Sequence, residues 1–493
     1  MGANEQDYYA VLGILRDSSP EEIRRAYFAA ARKFHPDQNR LPGETELFLQ
    51  VQRAYEVLSN PERRMQYDRT LPQDDSGAQS PVKIRVQYSR QSLVQLDEPQ
   101  LIYTLLEAEP PGKVGPETFA PLNLCLVLDR STSMQGEKMD VAKAAAIRIL
   151  QMLRPEDLFS LVVFSDRAEV LLTSAYQHDL KRAQGRVQSI TTSGATELLQ
   201  GLSAGMAELR RNIDPKRCNH LILLTDGHTY GDEQACLKLA EDAANLNIGI
   251  SGFGVGGDWN DIFLDALVGR TGGNSTYVAQ PQDIRTLLVE KFTSLARTLV
   301  DDAILEAKPG EGVHLRNCHR LQPEGGPVEI GDILHLGPIL QDETLSVLFE
   351  FVIEPTASRG ESATLLEGML RAVVAARPMP FPPIRMQMRR PITLTASQEI
   401  PPPGIVSALS RLSLYRLQER ARKETEAGEY ESATRHLRNL ALQLQAQGHH
   451  DLSKTALFEA ESIERMQSFS DEGSKQVKYG TRALLQPALG VGR

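Results

Sequence analysis

Residues 124–134 read LCLVLDRSTSM. An unbroken apolar run ends in Asp129, and hydroxyls come after it at Ser131 and Ser133. A short apolar run without polar alternation marks a strand buried on both faces, as in a parallel sheet flanked by helices. Asp and Ser are turn formers, so the plain reading of residues 129–133 is a turn. The same spacing also sets three oxygen-bearing side chains at alternate positions, the donor type a hard cation takes. The stretch by itself leaves both readings open.

Working outward, residues 122–300 alternate apolar strands with helical patterns. The strands are LNLCLVL (122–128), LFSLVVF (158–164), AEVLLT (168–173), HLILLT (220–225) and IGISGFGV (248–255). Met139, Ala142, Ala146, Ile149 and Leu153 space as one helix face, and 197–211 and 233–246 behave alike. This predicts an α/β doubly wound sheet over 121–300. Residues 82–120 and 301–398 read as strands, with TLSVLFEFVIEP and TLLEGMLRAVVAA the clearest. Domain termini commonly lie close together and tolerate insertion. The two strand segments are therefore expected to form one β-sandwich with the α/β domain inserted in it.

The flanks complete a multidomain chain. An all-α unit is expected over 1–71. Ser19 caps a helix that has Pro20 at its first position and Glu21 and Glu22 in its first turn. PQDDSGAQSP (72–81) has the composition of a linker. After PPPG (401–404), C-terminal helices are expected over 399–470, at 405–427, 429–447 and 451–468, with Gly428 and Gly448 as stops. Residues 471–493 carry no clear pattern and are expected to form a partly flexible tail.

Composition narrows function. The 493 residues suffice for about three domains. A formal charge of −10 argues against a general nucleic-acid binder. No apolar stretch reaches the roughly 18 residues of a membrane helix, and MGANEQDYYAVLGILRDSS lacks the basic start and apolar core of a signal peptide. A cytoplasmic protein without membrane contact is expected. Cys125, Cys218, Cys236 and Cys318 are widely spaced without a CxxC, so reduced core thiols are expected rather than zinc or disulfides.

DYYAVLGILRDSSPEEIRRAYFAAARKFHPDQN, joined further on by FLQVQRAYEVLSNPERRMQYD, resembles a J domain from end to end. The resemblance implies a four-helix module whose His35-Pro36-Asp37 loop docks, with a basic second helix, on a DnaK-type heat-shock chaperone and stimulates its ATPase. Carried over residue by residue, the contact set is His35, Pro36, Asp37, Arg24, Arg25, Tyr27, Arg32 and Lys33. The chemistry is consistent: Pro36 fixes a sharp helix exit, and Asp37 offers a carboxylate to a cationic partner group. The chain departs from the pattern at Phe28, Ala29 and Gln38, where basic residues are common, so its cationic face is thinner.

DRSTSM, with SGATELLQGL and LLTDG further on, resembles a von Willebrand factor type A domain over about 120–300. The resemblance implies a metal-ion-dependent adhesion site on Asp129, Ser131, Ser133, Thr196 and Asp226. Carboxylate and hydroxyl oxygens suit Mg²⁺, with Ca²⁺ or Mn²⁺ as the other hard ions. Few carboxylates leave the ion partly uncompensated, so an acidic side chain of a protein partner would complete its coordination. Thr132 and Ala195 stand where the family commonly has glycine. ETEAGEYESATRHLRNLALQLQAQG resembles the helical tails of bacterial von Willebrand-type proteins.

Three decoys carry less. Gly201-x-Ser203-x-Gly205 lies in a helical run, without the strand-turn-helix elbow a hydrolase needs. Gly252-x-Gly254-x-x-Gly257 ends a strand but opens no βαβ unit. His228 is a single loop histidine. No acid–base pair or nucleophile constellation is found, so the chain is not expected to be an enzyme. The expected function is a cytosolic co-chaperone or adapter. The alternatives are an interaction scaffold with a degenerate J domain and, less supported, a metal-dependent hydrolase.

Overall fold

The computed structural model describes residues 8–12, 14, 18–33, 44–70, 82–110, 119–176, 178–214, 216–228, 231–357, 360–373, 383–395 and 400–486. The N-terminal unit is helical: α1 (Tyr8–Leu12), α2 (Pro20–Lys33), α3 (Glu44–Leu58) and α4 (Pro61–Thr70). At the start of α2, Ser19 Oγ accepts from the Glu22 amide at 3.3 Å and the Ser19 amide donates to Glu22 Oε2 at 2.7 Å, a closed capping box. Asn60 Oδ1 caps α4, accepting from the amides of Glu62 and Arg63. Tyr9, Val11, Leu12, Ile14, Ile23, Val51, Ala54 and Leu58 bury against one another as this unit's own core.

The chain then enters a sandwich through β1 (Lys83–Tyr88), β2 (Leu93–Val94) and β3 (Gln100–Glu109) before the α/β unit begins. That unit holds β4 (Leu122–Asp129), α5 (Glu137–Met152), β5 (Leu158–Phe164), β6 (Ala168–Tyr176), α6 (Leu180–Gln188), α7 (Leu198–Arg211), β7 (Cys218–Thr225), α8 (Glu233–Asn245), β8 (Ile248–Val255), α9 (Asp261–Gly269), β9 (Ser275–Val278) and α10 (Asp283–Leu295). Its six strands lie in the order β6-β5-β4-β7-β8-β9. All pairings are parallel except β5 with β6. The period-2 geometry of β4 sorts its side chains: Leu122, Leu124, Leu126 and Leu128 join the core under α5, α6 and α10, while Cys125 and Val127 join the core under α7, α8 and α9. A strand whose two faces are both covered has no polar position to spare, which is why it reads as a continuous apolar run.

After β10 (Thr298–Val300), the chain returns to the sandwich through β11 (Asp302–Lys308), β12 (Val313–Gln322), β13 (Gly326–Pro327), β14 (Ile333–His335), β15 (Ile339–Leu340), β16 (Leu345–Ile353), β17 (Ser362–Val373) and β18 (Ile384–Thr393). One sheet is β1-β3-β16-β12-β13 and the other β14-β11-β17-β18-β2. β3 pairs antiparallel with β16 along its length and β2 pairs with β18, so the two sequence segments share both sheets and one core. The α/β unit is inserted in the sandwich. Arg320 of β12 fastens the two together: its guanidinium donates to the carbonyls of Gly272 at 2.7 Å and Gly273 at 3.1 Å in the α/β unit. Gly337, at φ +100°, leaves the room this requires, since a Cβ there would sit 1.9 Å from Arg320 Nη1.

Four helices come next: α11 (Pro403–Glu426), α12 (Tyr430–Ala446), α13 (His450–Met466) and α14 (Asp471–Ala483). Gly428 and Gly448, both at positive φ, end α11 and α12 as expected. The tail reading of 471–493 needs correction, because residues 471–483 form a regular helix. Ser470 caps it, accepting from the Gly473 amide, and Val477, Lys478, Tyr479, Thr481 and Arg482 are buried. Among the described residues, no helix is long and apolar enough to cross a membrane.

Candidate metal centre

The cluster forms at the carboxyl edge of the inserted sheet, where ligand sites gather in open α/β folds. β4 delivers Asp129 at its last residue, and a 3-10 turn over Thr132–Met134 turns the chain back toward α5. Asp129 Oδ1 accepts from the Ser131 amide at 2.8 Å, and Oδ2 accepts from the Thr225 hydroxyl at 2.6 Å. Ser131 Oγ and Ser133 Oγ lie 3.0 Å apart, and Ser133 Oγ donates to Asp226 Oδ1 at 2.6 Å. Four of the five expected residues thus sit in one hydrogen-bonded chain. Thr196 faces it from the next loop: a Cβ on Gly227 would lie 2.6 Å from Thr196 Oγ1, so the hydroxyl rests against the backbone beside Asp226.

Thr132 has a definite role. Its amide and its hydroxyl both donate to the Gly194 carbonyl, each at 3.1 Å, and the Ser193 amide donates to the Arg130 carbonyl at 2.8 Å. Asp166 Oδ1 accepts from the Ala195 amide. The side chain that replaces glycine laces the first loop to the loop carrying Thr196.

Asp129 and Asp226 are fully buried. Burial pushes Asp129 up from 3.8 to about 6, only partly offset by the hydrogen bonds from Thr225 and Ser131. Its charge meets neutral donors, a hydroxyl and an amide, and the neighbouring Asp226 adds to the cost. Such a carboxylate is short of positive charge. Among the described residues, no three His, Cys, Asp or Glu side chains gather to hold a metal. The cluster offers hydroxyls and two carboxylates, a donor set that fits a hard divalent ion.

Two residues outside the motif complete the setting. Thr225 is the last residue of β7, and Lys138 stands in the first turn of α5. Lys138 Nζ reaches Asp226 Oδ2 at 2.5 Å and the Ser133 carbonyl at 3.3 Å. The spacing of Lys138 from the serines is visible in sequence, but no residue pattern tells which carboxylate a lysine will meet.

The residues expected to meet a chaperone are described in part. Arg24 and Arg25 are exposed on α2, and Tyr27 stacks on Tyr55 of α3 with centroids 4.1 Å apart. Phe28 lies under the Arg24 guanidinium at 5.7 Å, so this departure supports a cation. Arg32 and Lys33 lie on α2, but their side chains fall outside the described residues, as do His35, Pro36 and Asp37. The decoys are structural. Gly201 and Gly205 let α7 approach the sheet, where a Cβ would lie 2.6 Å from Phe164 and from Val127. Gly252-x-Gly254-x-x-Gly257 does, against expectation, lead from β8 through α9 into the parallel strand β9, but Gly254 there leaves room for the Trp259 ring.

Residues 478–482, KYGTR, lie in α14 and have a role in packing. Lys478 joins Asp261 and Asp265 at 2.5 and 2.7 Å, Arg482 joins Asp265 at 2.6 Å, and Arg422 of α11 joins Asp261 at 2.6 Å. Tyr479 packs against Trp259 and Tyr277. Burial alone would push both aspartates up. The cations beside them, Arg422 and Lys478 at Asp261 and Arg482 and Lys478 at Asp265, more than reverse this and hold both below the usual carboxylate range.

Comparison with known proteins bears on the domains that carry these residues. Family profiles match a DnaJ domain at 7–68, a von Willebrand factor type A domain at 123–291 and a "Sll0103-like, C-terminal alpha-helical domain" at 403–487. A Synechocystis protein named "Uncharacterized protein sll0103" is 29% identical over 196 residues, 40% of this chain and 46% of that protein. The chaperone protein DnaJ of Trichormus variabilis is 55% identical over 73 residues, 15% of this chain and 19% of that protein. The chain thus matches less than half the length of either relative. Among solved structures, a von Willebrand factor type A protein from Catenulispora acidiphila superposes with a TM-score of 0.66 at 17% identity, covering 83% of this chain and 98% of that one. The ArnB paralog VWA2 from Sulfolobus acidocaldarius superposes with a TM-score of 0.51 at 16% identity, covering 82% and 99%. The sandwich with its inserted domain is therefore a fold these proteins share. The chain is a fusion of a DnaJ domain with a von Willebrand factor type A domain protein.

Proposed function

We propose that this chain is a cytoplasmic co-chaperone adapter: its J domain recruits and stimulates a DnaK-type ATPase, and its A domain holds a protein partner through a divalent ion, Mg²⁺ by preference. The observation that carries the reading is the oxygen cluster of Asp129, Ser131, Ser133 and Asp226, set at the sheet edge of a chain that also carries a J domain. When bound, the ion supplies a positive charge to which a partner carboxylate can coordinate. Asp129 and Asp226 would hold the ion, with the hydroxyls of Ser131, Ser133 and Thr196 as neutral oxygens. Because most of these donors are neutral, they would leave positive charge uncompensated for a partner carboxylate. The chain does no covalent chemistry of its own. Ser203, the serine of the hydrolase-like pattern, is exposed on the outer face of α7 and away from any elbow.

Two measurements test the reading. Stimulation of a DnaK-type ATPase is expected with the wild type and lost in His35→Gln. Partner capture is expected with Mg²⁺ and lost both in chelator and in Asp129→Ala. Equal stimulation by wild type and His35→Gln defeats the chaperone half and favours a scaffold. A partner that stays bound through chelation and Asp129→Ala defeats the ion-bridged half.

A further inference from the structure

Lys138 is an odd residue for its position. It is the second residue of α5, and a cation in the first turn of a helix opposes the helix dipole. Its neighbours in that turn, Glu137 and Asp140, are the charges the dipole favours. Lys138 instead reaches out of the helix to Asp226 Oδ2 at 2.5 Å and the Ser133 carbonyl at 3.3 Å. Gly256, at φ +72°, borders the ammonium: a Cβ there would lie 4.0 Å from Nζ.

The pair is asymmetric. The Asp226 side chain is 0% exposed, while that of Lys138 is 29% exposed. The carboxylate is fixed in the site, whereas the ammonium stands at its mouth on a flexible stem that can turn into water. With Asp129 and Asp226 ionised, Lys138 brings the cluster from two negative charges to one. An arriving divalent ion and the ammonium are then like charges claiming the same carboxylate, in a setting where water screens little.

We propose that Lys138 is the resident counter-ion of this site: it neutralises Asp226 in the ion-free protein and competes with the divalent ion for it. The inference rests on the ion-site reading above and adds a residue that tunes the site without ligating the ion. The ion-free protein thereby avoids leaving Asp226 as a second buried carboxylate without a cation, and ion affinity is set lower than the oxygen cluster alone would give.

The test uses the full chain stripped with chelator, then dialysed into low salt. Lys138→Met keeps most of the apolar stem and removes the charge. It is expected to melt at a lower temperature than wild type in chelator, and to bind Mg²⁺ about ten-fold more tightly by calorimetry. Lys138→Arg is expected to stay near wild type in both. Wild-type and Lys138→Met proteins that bind Mg²⁺ with equal affinity, or a variant that binds more weakly, overturn the counter-ion role while leaving the ion site standing. Mg²⁺ binding by neither protein overturns the ion site, and this proposal with it. If Lys138→Met is too unstable to titrate, Lys138→Gln meets the same outcomes.

Discussion

Asp129 is where sequence, burial and chemistry meet, and its surroundings dictate its behaviour with pH. Burial holds its folded-state value near 6, above the 3.8 of an unhindered aspartate. The folded, ion-free protein therefore keeps a proton that the unfolded chain has released. The stability contribution of this group is present below about pH 4 and is lost as pH rises toward 6. An ion at the site reverses the preference, because it favours the charged carboxylate. Melting in chelator is expected to fall as pH rises through this window, and excess Mg²⁺ to flatten or invert the trend. Mg²⁺ affinity by calorimetry should weaken as pH drops through about 6; affinity unchanged between pH 5 and 7.5 would contradict the assignment. That Asp129, Ser131, Ser133, Thr196 and Asp226 come together at one sheet edge was legible because the motif ties them to the end of β4 and to loops whose position the strands dictate. Thr225 and Lys138 were not. Their roles depend on which carboxylate folding brings within reach, and that information is not local.

At the scale of elements, strands buried on both faces were the most legible. Two of them, 158–164 and 248–255, have the bounds their apolar runs predict. The outer strand β6 runs past the end of its apolar run and is not buried like the others. It is the antiparallel edge, and most of its positions are partly or fully exposed. Helix α14 escapes sequence reading for a physical reason. Its inner face is built of Lys475, Lys478, Tyr479 and Arg482, so a search for an apolar stripe passes it by. That face is buried through charge pairing with Asp261 and Asp265 of α9. Removing one partner of a buried pair leaves the other uncompensated and costs about 3–5 kcal/mol. Asp265→Ala strips both Lys478 and Arg482 of a carboxylate, so urea unfolding is expected to shift by about that amount. A loss well under about 1 kcal/mol would mean that the packing of Val477 and Tyr479 holds α14 without this charge pairing. Because both aspartates are held below the usual carboxylate range, their stabilisation is present above about pH 4 and fades as pH falls below it.

The whole molecule joins units that each have a core of their own. Among the described residues, Tyr9, Ile23, Val51 and Leu58 pack in a core made of J-domain residues. Leu126, Ile149, Phe159 and Ile222 belong to a separate core in the A domain. Units with separate cores and no shared partners give additive effects. Under the adapter reading, the two activities are therefore separable by single substitutions. His35→Gln is expected to abolish ATPase stimulation while leaving the Mg²⁺-induced rise in melting temperature as in wild type. Asp129→Ala is expected to do the reverse. Saturation at about a hundred times the dissociation constant stabilises a one-site protein by about 2.7 kcal/mol, so the shift is readily measured. The double variant should lose both activities, with no further change in either. A Mg²⁺ shift altered by His35→Gln, or ATPase stimulation that depends on Mg²⁺ at Asp129, would mean that the ion site and the J domain communicate. In that case the adapter is a switch, and partner capture sets when the ATPase is recruited.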